Sequence, residues 1–540
     1  MGGDMTSWNY ADVFATVAEV QPDALAISQG AHQLTWSEFH RQVQGIAAWL
    51  LTRDVGPQDK VAIYLYNSPE YLISVAGAFH AGLVPVNTNY RYGDDELTYL
   101  WDNADASVVV FHGTFTERVD TVRHRTPGVT TFLHVDDGTT PCPAWATTFA
   151  VASATEGGGT PPWGRSPDDL LMLYTGGTTG MPKGVMWRQD DLFARLNAGG
   201  FRRYAGDAGL DGVAAVVREG GPGMAVLPAC PLMHGTGLFT ALEYLAEGGS
   251  VSLLPSRHYD PVELAQVIEV DQVNVAVIVG DPFARPLLRA LIAAPGRFDL
   301  SSLTAITSSG AMWSREVKEG LLEVLSDVLL IDAFSSSEAI GMGASVSSRS
   351  KTRPTAAFSV GADVVVLTDD GRKVEPGSEE IGVLGIGGRN PIGYYKDATK
   401  SAATFKVIDG VRYSIPGDFA TVRADGTIQL LGRGSQCINT AGEKVFPEEV
   451  EEALKTHPSV ADACVVGVPD ELYGERVVGA VELHRGAAVE VSDLIAHVKT
   501  KLASYKAPRQ LRVVESIGRT PSGKMDYARH RNEAVEAFAT

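Results

Sequence analysis

Short apolar runs recur along the first three hundred or so residues, at 61–65, 107–111, 170–174 and 275–279. None alternates with polar positions, so each predicts a strand covered on both faces. Between the first two, residues 70–79 read as a helix. Alternation of this kind predicts α/β layers with substantial parallel sheet. After about residue 360 the texture changes. Residues 363–368 and 426–431 read as strands with tight turns, and Asp425-Gly426 is a hairpin signal. The run Gly432-Arg433-Gly434-Ser435-Gln436 suits a hinge. Beyond it come an acidic helix (447–455), a strand (463–468), a second helix (491–502) and a strand (511–514). The expected fold is α/β: a large N-terminal domain of several subdomains with mostly parallel sheets over 1–432, a hinge over 433–436, and a small mobile α+β domain over 437–540.

Composition narrows the function. The 540 residues carry 45 basic and 65 acidic side chains, a net charge of −20. So acidic a surface excludes broad nucleic-acid binding, and any phosphate must be held locally by backbone N–H groups, a few cations or a metal. The four cysteines, Cys142, Cys230, Cys437 and Cys464, form no CxxC pair and read as reduced thiols of a cytoplasmic protein. No run approaches 18 apolar residues, so no transmembrane helix is expected.

The segment Tyr174-Thr175-Gly176-Gly177-Thr178-Thr179-Gly180-Met181-Pro182-Lys183-Gly184 carries the clearest chemistry. It follows an apolar strand. Its glycines let backbone approach a ligand closely, its threonines bring hydroxyls, and Lys183 brings a charge. Such a loop suits a polyphosphate, yet Pro182 before the lysine rules out a Walker A loop.

The full string resembles the signature loop of the adenylate-forming superfamily, which includes acyl- and aryl-CoA synthetases, firefly luciferase and peptide-synthetase adenylation domains. Further motifs of that family follow in order: Phe334-Ser335-Ser336-Ser337-Glu338, Gly382 through Tyr395, Ile415-Pro416-Gly417-Asp418, Gly432-Arg433 through Pro447, and Pro521-Ser522-Gly523-Lys524. Pro416 stands where the family usually has Thr, and Ser435 where it has Asp or Lys. Together the matches span almost the whole chain.

The resemblance implies joining of a carboxylate to the α-phosphate of ATP, then transfer of the acyl group to coenzyme A. Two anions must meet, which calls for preorganised cations and donors. By resemblance Lys524 bridges the carboxylate and α-phosphate, Glu338 ligates Mg²⁺, Asp418 accepts the ribose hydroxyls, and Arg433 reaches the nucleotide. Thr175, Gly176, Gly177, Thr178, Thr179, Gly180 and Lys183 would cradle phosphates, with Thr175 also serving catalysis. Ser335 and the hydroxyl of Ser337 would add contacts. Adenine would lie against Ser309-Gly310-Ala311 and Asp332-Ala333-Phe334. Ala441, Gly442, Glu443 and Lys444 would line the coenzyme A path once the small domain turns.

The acid is expected near His234, Gly235, Gly237, Gly280 and Asp281, with the three glycines leaving room for a bulky or long apolar tail. His234 reads equally as a gate at the carboxylate end and as a core histidine. Cys230 reads as a packed small residue. Trp187-Arg188-Gln189 with Val279-Gly280-Asp281 looks most like the actinobacterial branch of fatty-acyl-CoA synthetases, some of which activate steroid side-chain acids. The leading expectation is an ATP- and Mg²⁺-dependent carboxylate–CoA ligase for a medium- or long-chain or bulky apolar acid, compatible with a homodimer. Alternatives are an acyl-AMP ligase loading a carrier-protein phosphopantetheine, an aryl-CoA ligase, an oxidoreductase of luciferase type, and a silent binding protein.

Overall fold

Strands covered on both faces need layers on each side, and the chain supplies them by wrapping helices around two eight-stranded sheets. The computed structural model describes residues 7–538 apart from 178–179, 312, 351–354, 441–442, 471–473 and 521–522. The first large sheet runs, edge to edge, Ala339–Ser347, Leu329–Ser336, Ala305–Ser308, Val275–Ile278, Ala225–Pro228, Ser250–Leu253, Leu25–Gln29 and His32–Thr35. Its interior pairs are parallel and its two edge pairs antiparallel. The second large sheet is likewise parallel in its middle, around Lys60–Tyr64 and Ala106–His112, with antiparallel pairing at Leu170–Gly177, Gly180–Arg188 and Gly393–Tyr394.

Each of the four apolar runs falls on a strand, and the predicted helix is Pro69–His80, every residue of it buried except Glu70. The later texture change corresponds to a seven-stranded antiparallel sheet that includes Val364–Leu367, Asp418–Val422 and Ile428–Arg433. Asp425-Gly426 turns the last two of these, with Gly426 at φ +79°. After a single turn of 3₁₀ helix at Gly434–Gln436, a separate five-stranded sheet begins at Ile438. It packs against Pro447–Lys455, Val491–Lys501 and Tyr527–Ala537 around an apolar core of its own.

One helix is central. Gly235–Ala246 packs on Ala225–Pro228, Ser250–Leu253 and Val275–Ile278 of the first sheet. Trp187 from the second sheet lies against its Phe239, the rings 6.4 Å apart. The helix therefore fills the seam between the two large sheets.

Candidate active site

In a parallel sheet the strands deliver their following loops to one edge, which is where open α/β sheets bind ligands. Here the in-register strands Val275–Ile278, Ala305–Ser308 and Leu329–Ser336 end side by side, with Ile278, Ser308 and Asp332 at one level. Gly280, Gly310, His234 and Glu338 follow these strands and Ala225–Pro228. Gly280 and Gly310 have φ of +58° and +92°, a region that disfavours side chains. Gly280 N–H is anchored on the Ser308 hydroxyl (2.8 Å).

The glycine-rich segment is a tight antiparallel hairpin. Thr175 pairs with Lys183 and Gly177 with Gly180, while Thr178 and Thr179 lie outside the described residues. The Lys183 ammonium is bound to Asp397 instead of standing free for phosphate. Buried Asn87 fixes where this hairpin meets the site. Its amide donates to the carbonyls of Tyr174 (2.9 Å) and Met233 (2.7 Å), and its Oδ1 accepts from Tyr174 N–H. Thr175 and His234 are thus tied to a single side chain.

Glu338 stands at the turn between Leu329–Ser336 and Ala339–Ser347, held by three further segments. The Tyr394 hydroxyl donates to its Oε1 (2.7 Å), the Ser414 hydroxyl to its carbonyl (2.6 Å), and the Trp187 indole N–H to the carbonyl of Ser337 (2.9 Å). Among the described residues, no three His, Cys, Asp or Glu side chains cluster as a metal cage. Glu338 alone fits the donor set of Mg²⁺, which takes one or two carboxylates and completes its shell with phosphate oxygens and water.

Asp418 is 4% exposed. Its Oδ1 accepts from Arg433 (3.2 Å) and its Oδ2 has no partner among the described residues. Burial raises the pKa of Asp418 and the Arg433 charge opposes that rise. A buried acceptor left open is costly and suits a ligand hydroxyl.

Lys524 completes the cleft from the small domain. Its loop is closed by Thr520, whose N–H and hydroxyl both donate to the Lys524 carbonyl (2.8 and 3.0 Å). It is braced by Arg519, which grips Asp462 through two nitrogens and donates to the Gly523 carbonyl (3.2 Å). Gly523, at φ +76°, rests on Val279 and Pro282. A Cβ placed on Gly310 would stand 3.7 Å from Thr236 Oγ1 and 3.9 Å from Lys524 Cε. Crowding and the Arg433 charge lower the pKa of Lys524, partly opposed by Glu338. His234 is half-buried. Burial, then Lys524 and Arg91, depress its pKa to about 3, so the ring is neutral. That places it in the cleft, not in the core. Beside the Lys524 loop opens a cavity of about 330 Å³, lined among others by Tyr66, Tyr90, Arg91, Tyr259 and Phe283.

Several expectations need correction. Asp281 does not face an acid: its carboxylate accepts from Ser314 N–H (2.9 Å) and Arg285 (3.2 Å), joining two loops. Gly237 leaves no room for a tail, because a Cβ there would come within 2.6 Å of the Pro231 carbonyl oxygen. Gly235 is tight as well, with Phe239 3.1 Å from such a Cβ. The Asp332 carboxylate is buried against Lys318 (3.2 Å) instead of turning to a nucleotide. Phe334 packs on Phe358, and the Ser335 hydroxyl accepts from Gly341 N–H. Ser309, Ala311 and Ala333 stay half-buried at the strand ends. Cys230 is buried, its thiol pushed up to about 12, as a packed residue should be. Ala441 and Gly442 lie outside the described residues. The strand Glu443–Val445 beside them pairs Lys444 with Asn439 and leaves Glu443 exposed. Asn87, Tyr394, Ser414 and Trp187 went unread as positioning residues. Asn87 left a trace: an amide ending the apolar strand Val84–Asn87.

A lysine loop carried by the small C-terminal sheet is set against a cleft at the strand ends of a large α/β unit. Residues 14–395 match the AMP-binding enzyme family and residues 449–524 match the AMP-binding enzyme C-terminal domain. The chain belongs to the AMP-binding enzyme family. It is 40% identical to a medium/long-chain-fatty-acid–CoA/3-oxocholest-4-en-26-oate–CoA ligase of Mycolicibacterium smegmatis, over 96% of this chain and 95% of that one. It is 38% identical to a 3-oxocholest-4-en-26-oate–CoA ligase of Rhodococcus rhodochrous, over 96% and 94%. Its fold resembles an anthranilate CoA ligase solved with anthranoyl-AMP, with TM-score 0.83 at 20% identity over 99% and 98% of the two chains.

Proposed function

We propose that the protein is an ATP-dependent carboxylate–CoA ligase that works through an acyl-adenylate. Its acid would be a medium- or long-chain fatty acid or a bulky apolar one such as a steroid side-chain acid. The convergence of Lys524, Arg433, Asp418 and Glu338 on one cleft carries this reading. The names of its relatives support the acid class.

In the first half-reaction a carboxylate oxygen bonds to the α-phosphorus while the bond to the pyrophosphate oxygen breaks. Lys524 holds both anions, a task suited to an ammonium on a flexible stem. The open Oδ2 of Asp418 accepts from the ribose, and the Arg433 charge opposes the rise in pKa that burial causes. His234, neutral beside two cations, hydrogen-bonds near the carboxylate without adding charge. Mg²⁺ would be held by Glu338 and would neutralise the departing pyrophosphate.

In the second half-reaction a thiol attacks the acyl carbon and AMP leaves. The small domain, 437–540, would turn about 433–436 to bring Ala441 and Gly442 to the cleft. Glycine is required at this hinge, since a Cβ at Gly434 would come within 2.4 Å of Phe419.

The test is acid-dependent pyrophosphate release with Mg-ATP, across acids from acetate to long-chain, aryl and steroid side-chain types, with and without CoA. Release with apolar acids, and thioester on adding CoA, supports the reading. Adenylate without thioester moves the acceptor to a carrier protein, and release confined to aryl acids moves the substrate.

A further inference from the structure

The small domain docks on the large unit through the helix Pro447–Lys455, which packs on Ile428–Arg433, the last strand before the hinge. Glu448 stands in the first turn of that helix. A Cβ on Gly432 would come within 2.1 Å of Glu448 Oε2, so the carboxyl lies directly against the Gly432 backbone. Glu448 is half-buried as a residue, yet its Oε2 is sealed from solvent and has no hydrogen-bond partner among the described residues. A charged oxygen in such a place is costly.

The groups around it do not offset that cost. Across the seam stand Asp418 and Arg433, and the Arg433 guanidinium is already bound to Asp418 (3.2 Å). On its own helix lies Glu451, which accepts from Val465 N–H (2.9 Å) and the Tyr527 hydroxyl (3.1 Å). Arg519, Lys455 and Asp462 surround Glu451 in turn. His497 of Val491–Lys501 meets the helix only at its far end, beside Thr456 and His457. Burial first, then Glu451 and Asp418, push Glu448 up to about 8, partly opposed by the Arg433 N–H.

We propose that Glu448 is a proton-operated latch on the small domain. Its carboxyl is protonated while the domain is docked for adenylate formation. When the domain turns for thiol attack, Glu448 leaves Gly432 for water, its O–H bond breaks and the proton passes to solvent. A carboxyl that returns to its ordinary value of about 4.3 in water binds a proton on docking. Docking is therefore favoured at low pH, and weakens by up to about tenfold per pH unit as pH rises between the two values. This rests on the carboxylate–CoA ligase reading and names a regulation of its cycle.

The experiment follows both half-reactions of the full-length enzyme with the best acid of the panel above. One is single-turnover pyrophosphate release without CoA; the other is thioester formation from supplied acyl-AMP. The ratio of the second rate to the first is taken at pH 6, 7 and 8 for wild type, Glu448→Gln and Glu448→Ala. Gln keeps the size of the side chain and cannot ionise. Dividing the wild-type ratio by the Gln ratio removes the titrations of the CoA thiol and of Lys524, which both proteins share. That quotient should rise about tenfold or more from pH 6 to pH 8. The Ala ratio should run parallel to the Gln ratio. A quotient constant across pH, or an Ala ratio that follows the wild type, would overturn the latch and leave the ligase reading standing. No pyrophosphate release with any acid would overturn both.

Discussion

The buried pair Lys318–Asp332 sits one strand from the cleft, and its energetics give a sharp test of the fold. The two side chains are 1% and 9% exposed. Burial pushes Asp332 up to about 6, with Lys318 opposing. Lys318→Met removes that opposition and leaves a buried carboxylate unpaired, at a cost of about 3–5 kcal/mol. The sign follows from proton binding. Between the unfolded aspartate value near 3.9 and the raised folded value, the folded state holds more protons, so stability falls as pH rises through that window. In the variant the window extends above 6. At pH 8 the full cost is expected; at pH 5 Asp332 is largely protonated and most of the cost is absent. One kcal/mol moves the midpoint of a 150–250-residue domain by about 2–4 °C, and a larger domain by less, so the drop at pH 8 should be on the order of 5–10 °C. Thermal melts of wild type and variant at both pH values measure it. Lys318→Met with Asp332→Leu should recover most of the loss. An equal drop at both pH values, or a double variant no more stable than the single, would refute the reasoning.

Lys524→Ala should nearly abolish adenylate formation yet spare thioester formation from supplied acyl-AMP; equal loss of both half-reactions would contradict its assigned role. Asp418→Asn weakens a charged acceptor worth about 1.5–3 kcal/mol, so kcat/KM for ATP should fall roughly 10- to 150-fold with little change in KM for the acid. On the proposed reading Lys524 acts as a cation, so activity should be lost as pH rises through its pKa, which burial and then Arg433 lower. In Arg433→Gln the alkaline limb should therefore move to higher pH, whatever the height of the profile.

Local pattern and motif order made much of this legible. The runs at 61–65 and 275–279 read as covered strands, and the motifs from Thr175 to Lys524 pointed to a family. What stayed hidden was the partner of each polar group. Asp281 reads the same in sequence whether it faces a substrate or caps Ser314. Gly237 reads as open space whether it makes room or admits a carbonyl. Asp332 lies in an apparent nucleotide motif, but only tertiary packing reveals Lys318, 14 residues before it, at its carboxylate.

Asn87 carries a consequence for the entropy of the reaction. One amide joins the strand that leads into the glycine-rich hairpin to the loop that ends at His234. On the proposed reading these are the phosphate and carboxylate cradles; held at a fixed separation, they would surrender part of the translational and rotational freedom of two meeting anions during folding. Well-oriented groups held in this way react as though at effective concentrations of about 10⁵–10⁸ M. Loosening that one side chain would leave each substrate its own contacts while lowering the concentration at which each meets the other.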